Sequence, residues 1–475
     1  MTKTIAEHLA AEAKELTFHE LPPEVVHQVK RSVLDTLGVG FGGYLSEPSR
    51  IIQSLIKEMN GPAESTVFGS GLKTSCLYAT LANGVMVRYL DYMDRAFLTK
   101  EARINVGHNG ESIPPILAVG ERQHSTGQEV ITAIVLAYQL LSKVSDSMGG
   151  SHGVLDKRGF SRETRSPWII ALIAGRLLGL NEEQMANALA VAGCFTIELG
   201  ILQSPKEEMT MARNLRFPCG AYSGILGALL AQKGFKGPLN MVEGHHGFNE
   251  VVAGGEIDLE KLRQPRKGWS ILYTWIKNLA SNGGAQGLLE ATLTLVKEHD
   301  IKPEDVAEVR IKTNSIVYER HANPARRYPE TKYSADHSCY YTVPVAILDR
   351  AVGPEQFSDE KLRDPRVREL AEKVFVEPDA KLDLSSGMEV GAGIVEITTK
   401  KGQKYSCQVL QAKGHPMNPM TDADVEEKFR SMAGKFMNEK QMRQIIDTVY
   451  NLEKLDDIGQ LVKLLVVPDK ILQKS

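Results

Sequence analysis

The sequence is short of cysteine, of long apolar runs and of excess charge, and each shortage removes a class of protein. Its five cysteines (Cys76, Cys194, Cys219, Cys339, Cys407) are scattered, with no Cys-x-x-Cys pair. An odd, dispersed set argues against a disulfide framework and against a zinc site. No uninterrupted apolar stretch approaches the roughly 18–20 residues that a membrane span needs. The opening segment MTKTIAEHLAAEAKELTF has no basic region followed by an apolar one, so no secretory signal is expected. Basic residues number 56 against 59 acidic, a net charge of −3, which leaves no footprint for nucleic acid or an anionic membrane. A reduced, cytoplasmic protein is expected.

What is present is a chain of ordinary globular composition, 42% hydrophobic and 24% charged. Its 475 residues are too many for one core, so two domains are expected. The first half reads as successive helices. Residues 23–44 place Val25, Val29, Val33, Leu34 and Leu37 on one face, with Pro23 in the first turn. Residues 126–148 are apolar on most sides, as a helix buried among others is. Between the helical stretches 167–180 and 181–195, Gly179 reads as a stop and Asn181 as a cap. The Gly- and Ala-rich stretch 220–235 suits close helix packing. Near residue 265 the texture changes, and strand-like segments appear at 306–314, 373–379, 391–400 and 404–410. Val309, Ile311 and Thr313 alternate with polar neighbours there. After 414–420 the pattern is helical again. The expected fold is therefore mainly α, with a large all-helical domain over 1–265 closed by 420–475. A smaller α+β domain occupies 266–415.

Residues able to carry chemistry gather in a few stretches, each with a plainer alternative. NGVMVRYLDYMDRAF (83–97) sets Asp91 four residues before Arg95, where a helix-surface ion pair worth roughly 0.2–0.5 kcal/mol is the simpler reading. Asp91 and Asp94 lack a helical His companion, so no metal is expected. His108 sits in a Gly-flanked loop of RINVGHNGESIPPILAVGE (103–121), as a proton-transfer group or as an exposed loop histidine. KEEMTMARNLRFPCG (206–220) groups Lys206, Arg213 and Arg216, as carboxylate-binding forks or as a solvated helix face. Lys277 precedes a Ser-Asn-Gly-Gly loop that enters a helix, a weak anion-binding signal. RYPETKYSADHSCYYTVPVAILDR (327–350) sets Asp336, His337 and two tyrosines before an apolar helix. Asp336 or Ser338 is expected to cap it and Pro344 to kink or delay it, which leaves Tyr340 and Tyr341 unexplained.

Taken in order, several stretches resemble the MmgE/PrpD family. They are VLDTLGVGFGG (33–43), ANGVMVRYLDYMD (82–94), GHNGESIPPILAVGE (107–121) and AGRLLGLNEEQMANALAVAG (174–193). ILYTWIKNLASNGGAQ (271–286), YSADHSCYYTVPVAILD (333–349) and GHPMNPMTDADVEEKFR (414–430) continue the series. The family includes 2-methylcitrate dehydratase, cis-aconitate decarboxylase and iminodisuccinate epimerase. The resemblance implies a helical domain with an α+β lid domain, a homodimer, and an active site between the domains that uses no metal or organic cofactor. It implies a small di- or tricarboxylate as substrate.

Carried over by position, the family's catalytic Asp falls on Asp91, its loop His on His108, its Lys on Lys277 and its Tyr on Tyr341. Family members carry a His after the Arg-Gly that begins RGFSRETRSPW (158–168), where this chain has Ser161 and Arg162. Arg213 stands where Lys is usual. These exchanges keep positive charge for a carboxylate and remove one imidazole. The implied reaction is dehydration of a citrate-like acid by loss of a proton alpha to a carboxylate. Lys277, Arg213 and Arg103 would stabilise the developing charge, and Arg162 and Ser161 would contact substrate. His108, oriented by Asp91, would move the proton, and Tyr341 would protonate the departing hydroxide. The alternatives are decarboxylation of a cis-aconitate-like acid or epimerisation of an iminodisuccinate-like acid. A non-catalytic carboxylate binder is the second alternative.

Overall fold

The computed structural model describes residues 3–100, 104–265, 267–383 and 391–467. Helix Gly127–Ser147 runs through the centre of the larger core and is buried around nearly its whole circumference. Its start is fixed locally: the Thr126 N–H donates to Glu129 Oε2 at 2.7 Å and the Glu129 N–H to Thr126 Oγ1 at 3.3 Å, a reciprocal cap. Helix Arg216–Gln232 crosses Ser166–Leu177 and Glu182–Phe195 at close range. Two glycines permit this: a Cβ at Gly224 would lie 2.8 Å from the Pro167 carbonyl oxygen, and one at Gly227 would lie 2.6 Å from that of Ala188. The C-terminal helices Asp422–Ala433 and Glu439–Tyr450 pack against Pro23–Gly42, so Phe429, Ile445 and Val449 share a core with Val33 and Leu37. A buried Lys428–Asp35 pair at 2.6 Å ties them.

A second core lies around a four-stranded sheet ordered Val374–Pro378, Val306–Thr313, Gly393–Thr399, Lys404–Val409. Val306–Thr313 buries Val306, Val309, Ile311 and Thr313 and turns Arg310 and Lys312 outward, the period-2 pattern of a sheet covered on one face. It pairs antiparallel with Gly393–Thr399 and parallel with Val374–Pro378. The parallel pair requires a crossover, supplied by the helices between residues 315 and 371. Helices Gln286–Glu298 and Cys339–Asp349 cover the buried face. The structure is thus mainly α with a smaller α+β part. None of the described helices is long and apolar enough to cross a membrane.

Helix Cys339–Asp349 runs through Pro344 rather than being delayed by it. Neither expected side chain caps it. The Ser338 hydroxyl donates to the Arg326 carbonyl, and Asp336 accepts from Lys332 Nζ at 2.6 Å.

Candidate functional site

A small antiparallel ribbon gathers residues that are far apart in the chain. Strand Arg95–Phe97 lies between Asn105–Gly107 and Thr274–Trp275. Asp91 and Asp94 precede the middle strand, His108 follows one outer strand, and Lys277 follows the other. Tyr92 anchors the entering segment: its hydroxyl donates to the Asn278 carbonyl at 2.7 Å, and its own carbonyl accepts from Lys428 at 3.0 Å.

Asp91 adopts a left-handed backbone, φ 46°. Such a conformation is uncommon outside glycine, and Asp tolerates it better than most residues. The turn sets its buried carboxylate among cations. Lys277 Nζ donates to Oδ1 at 3.0 Å and Arg213 to Oδ2 at 3.1 Å, and His337 Nε2 lies 2.9 Å from Oδ2. Burial alone would raise this carboxyl, but the charges of Lys277, Arg213 and His337 outweigh it and hold it well below the usual range. Lys277 has three acceptors in all, the Asp91 carboxylate, the Asp91 carbonyl and the Ser281 carbonyl. Burial brings its ammonium down to about 8, against the pull of Asp91.

His108 is oriented from the other side of the same turn. Its Nδ1–H donates to the Asp94 carbonyl at 2.5 Å, since a carbonyl only accepts. Nε2 has no partner among the described residues. Burial, then the charges of Arg162, Arg88 and Lys277, hold the imidazole well below its ordinary range, so it is neutral with a bare Nε2. The Asp94 carboxylate accepts from the Tyr138 hydroxyl at 2.8 Å and from the Gly110 N–H at 3.0 Å, which fixes the His108 loop.

A cleft of about 80 Å³ opens between this wall and the smaller core. The smaller core contributes His321, His337, Arg320, Arg326 and the Asn282–Gly284 turn. His321 repeats the arrangement of His108: its Nδ1–H donates to the His337 carbonyl at 3.1 Å. Desolvation and the neighbouring charges of His337 and Arg320 keep it well below its ordinary range. Gly283 lets Arg95 lie flat against the turn, since a Cβ would stand 2.0 Å from its guanidinium. Helix Gln286–Glu298 begins just behind, so its positive end adds to the field. Among the described lining residues, five are arginines (Arg95, Arg162, Arg213, Arg320, Arg326) and only Asp91 carries a carboxylate. Guanidinium forks can pair with carboxylate or phosphate oxygens; here Arg162, Arg213 and Arg320 also hold Glu163, Asp91 and Asp156.

Of the residues expected from sequence, Asp91, His108, Arg162 and Arg213 line the cleft. Lys277 sits beneath Asp91, fully buried. The expectation that Asp91 orients His108 is corrected, since the Asp94 carbonyl does so. A helix-surface pair is likewise not what Asp91 makes, because its partners come from residues 213, 277 and 337. Ser161 is buried behind the wall, accepting from Arg216 Nε at 3.1 Å and capping the turn Arg162–Arg165. Tyr341 does not line the cleft; its hydroxyl donates to the Gln356 carbonyl at 2.6 Å and its ring packs on Phe357. Arg103 lies outside the described residues. Sequence reasoning passed over His152, Arg320, His321 and Arg326. The dense run YERHANPARR (318–327) was the available signal for three of them.

The MmgE/PrpD N-terminal domain matches residues 7–260 and the MmgE/PrpD C-terminal domain matches residues 280–453. Cis-aconitate decarboxylase of Homo sapiens is 25% identical, the alignment covering 98% of this chain and 96% of that protein. Cis-aconitate decarboxylase of Aspergillus terreus (strain NIH 2624 / FGSC A1156) is 24% identical, with 96% and 95% covered. Mitochondrial 2-methylcitrate dehydratase of Yarrowia lipolytica (strain CLIB 122 / E 150) is 24% identical, with 92% and 85% covered.

Proposed function

Because the chain belongs to the MmgE/PrpD family, we propose that it is a lyase that removes water from a citrate-like di- or tricarboxylate. The observation that carries this reading is the pairing of five arginines with two neutral, backbone-pinned imidazoles in one cleft. The guanidinium groups seat the carboxylates and stabilise the charge that develops when a proton leaves the adjacent carbon. His108 Nε2 takes that proton, the electron pair of the C–H bond forms the new double bond, and the hydroxyl on the neighbouring carbon departs. The imidazolium returns the proton to the departing hydroxide, so water leaves and His108 is again neutral. Lys277 and Arg213 hold Asp91, and Asp91 with Asp336 holds His337 against the cleft.

A resting site with bare Nε2 atoms favours a reaction that begins by accepting a proton. Decarboxylation of a cis-aconitate-like acid requires a protonated donor once CO₂ has left. That second reading is supported by the names of the human and Aspergillus terreus relatives. His321, from the smaller core and lining the same cleft, would be the second group that epimerisation uses.

Proton NMR of the purified protein in D₂O with citrate, 2-methylcitrate, cis-aconitate and iminodisuccinate tests the proposal. New vinyl signals from a hydroxy acid support dehydration. A product lacking one carboxylate replaces it with decarboxylation, and exchange with inversion replaces it with epimerisation. Binding without turnover of any of them would leave a carboxylate binder.

A homodimer is part of the proposal. Phe195, Leu199 and Ile201 are 85%, 59% and 63% exposed on one segment, an apolar surface of the kind that a partner covers. Light scattering at twice the chain mass supports this, and a monomer overturns it. The five unbridged cysteines fit a reducing, cytoplasmic setting.

A further inference from the structure

Apart from the cleft, one group of side chains among the described residues has the makings of a ligand set. His245, His246 and Glu250 place one ligand atom each within 4.8 Å of one another, and none of them lines the cleft. We infer that these three residues form a surface site for a divalent transition-metal ion of the zinc, cobalt or nickel type.

The backbone carries the argument first. Consecutive residues in extended chain send their side chains to opposite sides. His246 instead has a left-handed backbone, φ 56°, an uncommon state for a residue other than glycine. That conformation brings the two imidazoles side by side, with ring centroids 3.7 Å apart. The third ligand is tied to the second, since Glu250 Oε2 accepts from the His246 N–H at 2.7 Å. The turn is held by backbone bonds, Gly247 N–H to Gly244 O at 2.8 Å, Phe248 N–H to Met241 O at 2.7 Å and Asn249 N–H to Val242 O at 2.9 Å. Phe248 then anchors it edge-on against Trp168 in the helical core, with centroids 4.6 Å apart.

The chemistry follows from the donors. Metal–ligand bonds of about 2.0–2.2 Å around a tetrahedral centre need ligand atoms about 3.3–3.6 Å apart. The three side chains are exposed, and the two rings, now tilted 31° to one another, turn apart to aim their nitrogens at one ion. Two imidazoles and one carboxylate suit zinc, cobalt, nickel or copper, whereas magnesium and calcium prefer oxygen ligands throughout. The two imidazoles line a cavity of about 240 Å³, which leaves room for water to complete the shell. The other acid–imidazole group, Asp91, Asp336 and His337, is a poor competitor because Lys277, Arg213 and Lys332 already pair with its carboxylates.

The test is titration of the full-length protein with Co²⁺, followed by its visible absorption, and with Zn²⁺ by calorimetry. One saturable equivalent is expected, with a rise in the melting temperature because the ion binds only the folded turn. His245→Ala and His246→Asn are each expected to weaken binding at least tenfold; Asn is chosen because it tolerates a left-handed backbone. His337→Ala is expected to leave binding unchanged, and turnover is expected to be unaffected in the His245 and His246 variants. Absence of a saturable equivalent, or wild-type affinity in a protein carrying both His changes, overturns the site. So does a signal that disappears with Cys194→Ser but survives the His changes.

Discussion

Asp91 and Asp94 lie three residues apart on one turn, both buried, and the protein uses them in opposite ways. Asp91 faces the cleft among Lys277, Arg213 and His337, and those charges hold its carboxyl well below the usual range. Asp94 faces inward, where its side-chain donors are the neutral Tyr138 hydroxyl and Gly110 N–H. Burial prevails there and raises it to about 7. The difference shows that burial does not decide the charge of a carboxylate here; the kind of donor does. Asp91 lets several cations crowd one wall of the cleft, while Asp94 shapes the loop that presents His108.

The comparison breaks most sharply if Asp91 is neutralised. Asp91→Asn keeps a residue that tolerates the left-handed turn but leaves Lys277 buried without its counter-ion. A buried pair broken on one side costs roughly 3–5 kcal/mol. The urea midpoint is expected to fall accordingly, and turnover with it as Arg213 and His337 lose their anchor. A variant as stable as the parent would show that Lys277 does not need this carboxylate. His108→Ala is the next largest change. It leaves the cleft's cations in place and removes only proton transfer, so kcat is expected to fall about 10²–10⁴-fold with KM nearly unchanged. A fall confined to KM would move His108 from chemistry to binding.

Asp94→Asn sharpens the other side. A carboxyl raised from its ordinary value to about 7 binds its proton more tightly in the folded state. Its stabilising effect is full in acid and is lost as pH rises toward about 7. Glu111, also raised to about 7, adds a slope of the same sign. The variant is therefore expected to flatten, without abolishing, the decline in stability between the ordinary carboxylate range and pH 7. An unchanged slope in thermal unfolding across that range would show that Asp94 is ionised throughout.

How much of this was legible beforehand follows from which signals are local. The helix start at Asn181 was written in its capping residue, and the strand at Val306–Thr313 in its alternation. Asp91 and His108 were visible as motif positions. Their partners were not, because a three-stranded ribbon brings residues 95, 105 and 275 together and no periodicity reports such a pairing. His321 was hidden for the same reason: it lines the same cleft as His108 from a segment far away in the chain. Ser338 misled because its hydroxyl reaches the Arg326 carbonyl, a long-range choice that local capping rules do not contain.

Tyr341 gives the smallest expected effect and extends the comparison from carboxylates to hydroxyls. The Tyr138 hydroxyl serves the site framework through Asp94, whereas the Tyr341 hydroxyl reaches away from the cleft to the Gln356 carbonyl. Gln356 in turn is tied by its side chain to Asp349 at 3.0 Å and to the Gly353 N–H at 2.8 Å, so Tyr341 secures the end of its own helix. Tyr341→Phe keeps the ring against Phe357 and removes one hydrogen bond, a loss of about 0.5–1.5 kcal/mol. With the hydroxyl turned this way, kcat is expected to stay within about twofold of the parent. A hundredfold fall in kcat at unchanged stability would mean that the smaller core repositions Tyr341 against bound substrate. The tyrosine would then act as the proton donor that the family resemblance assigns to it.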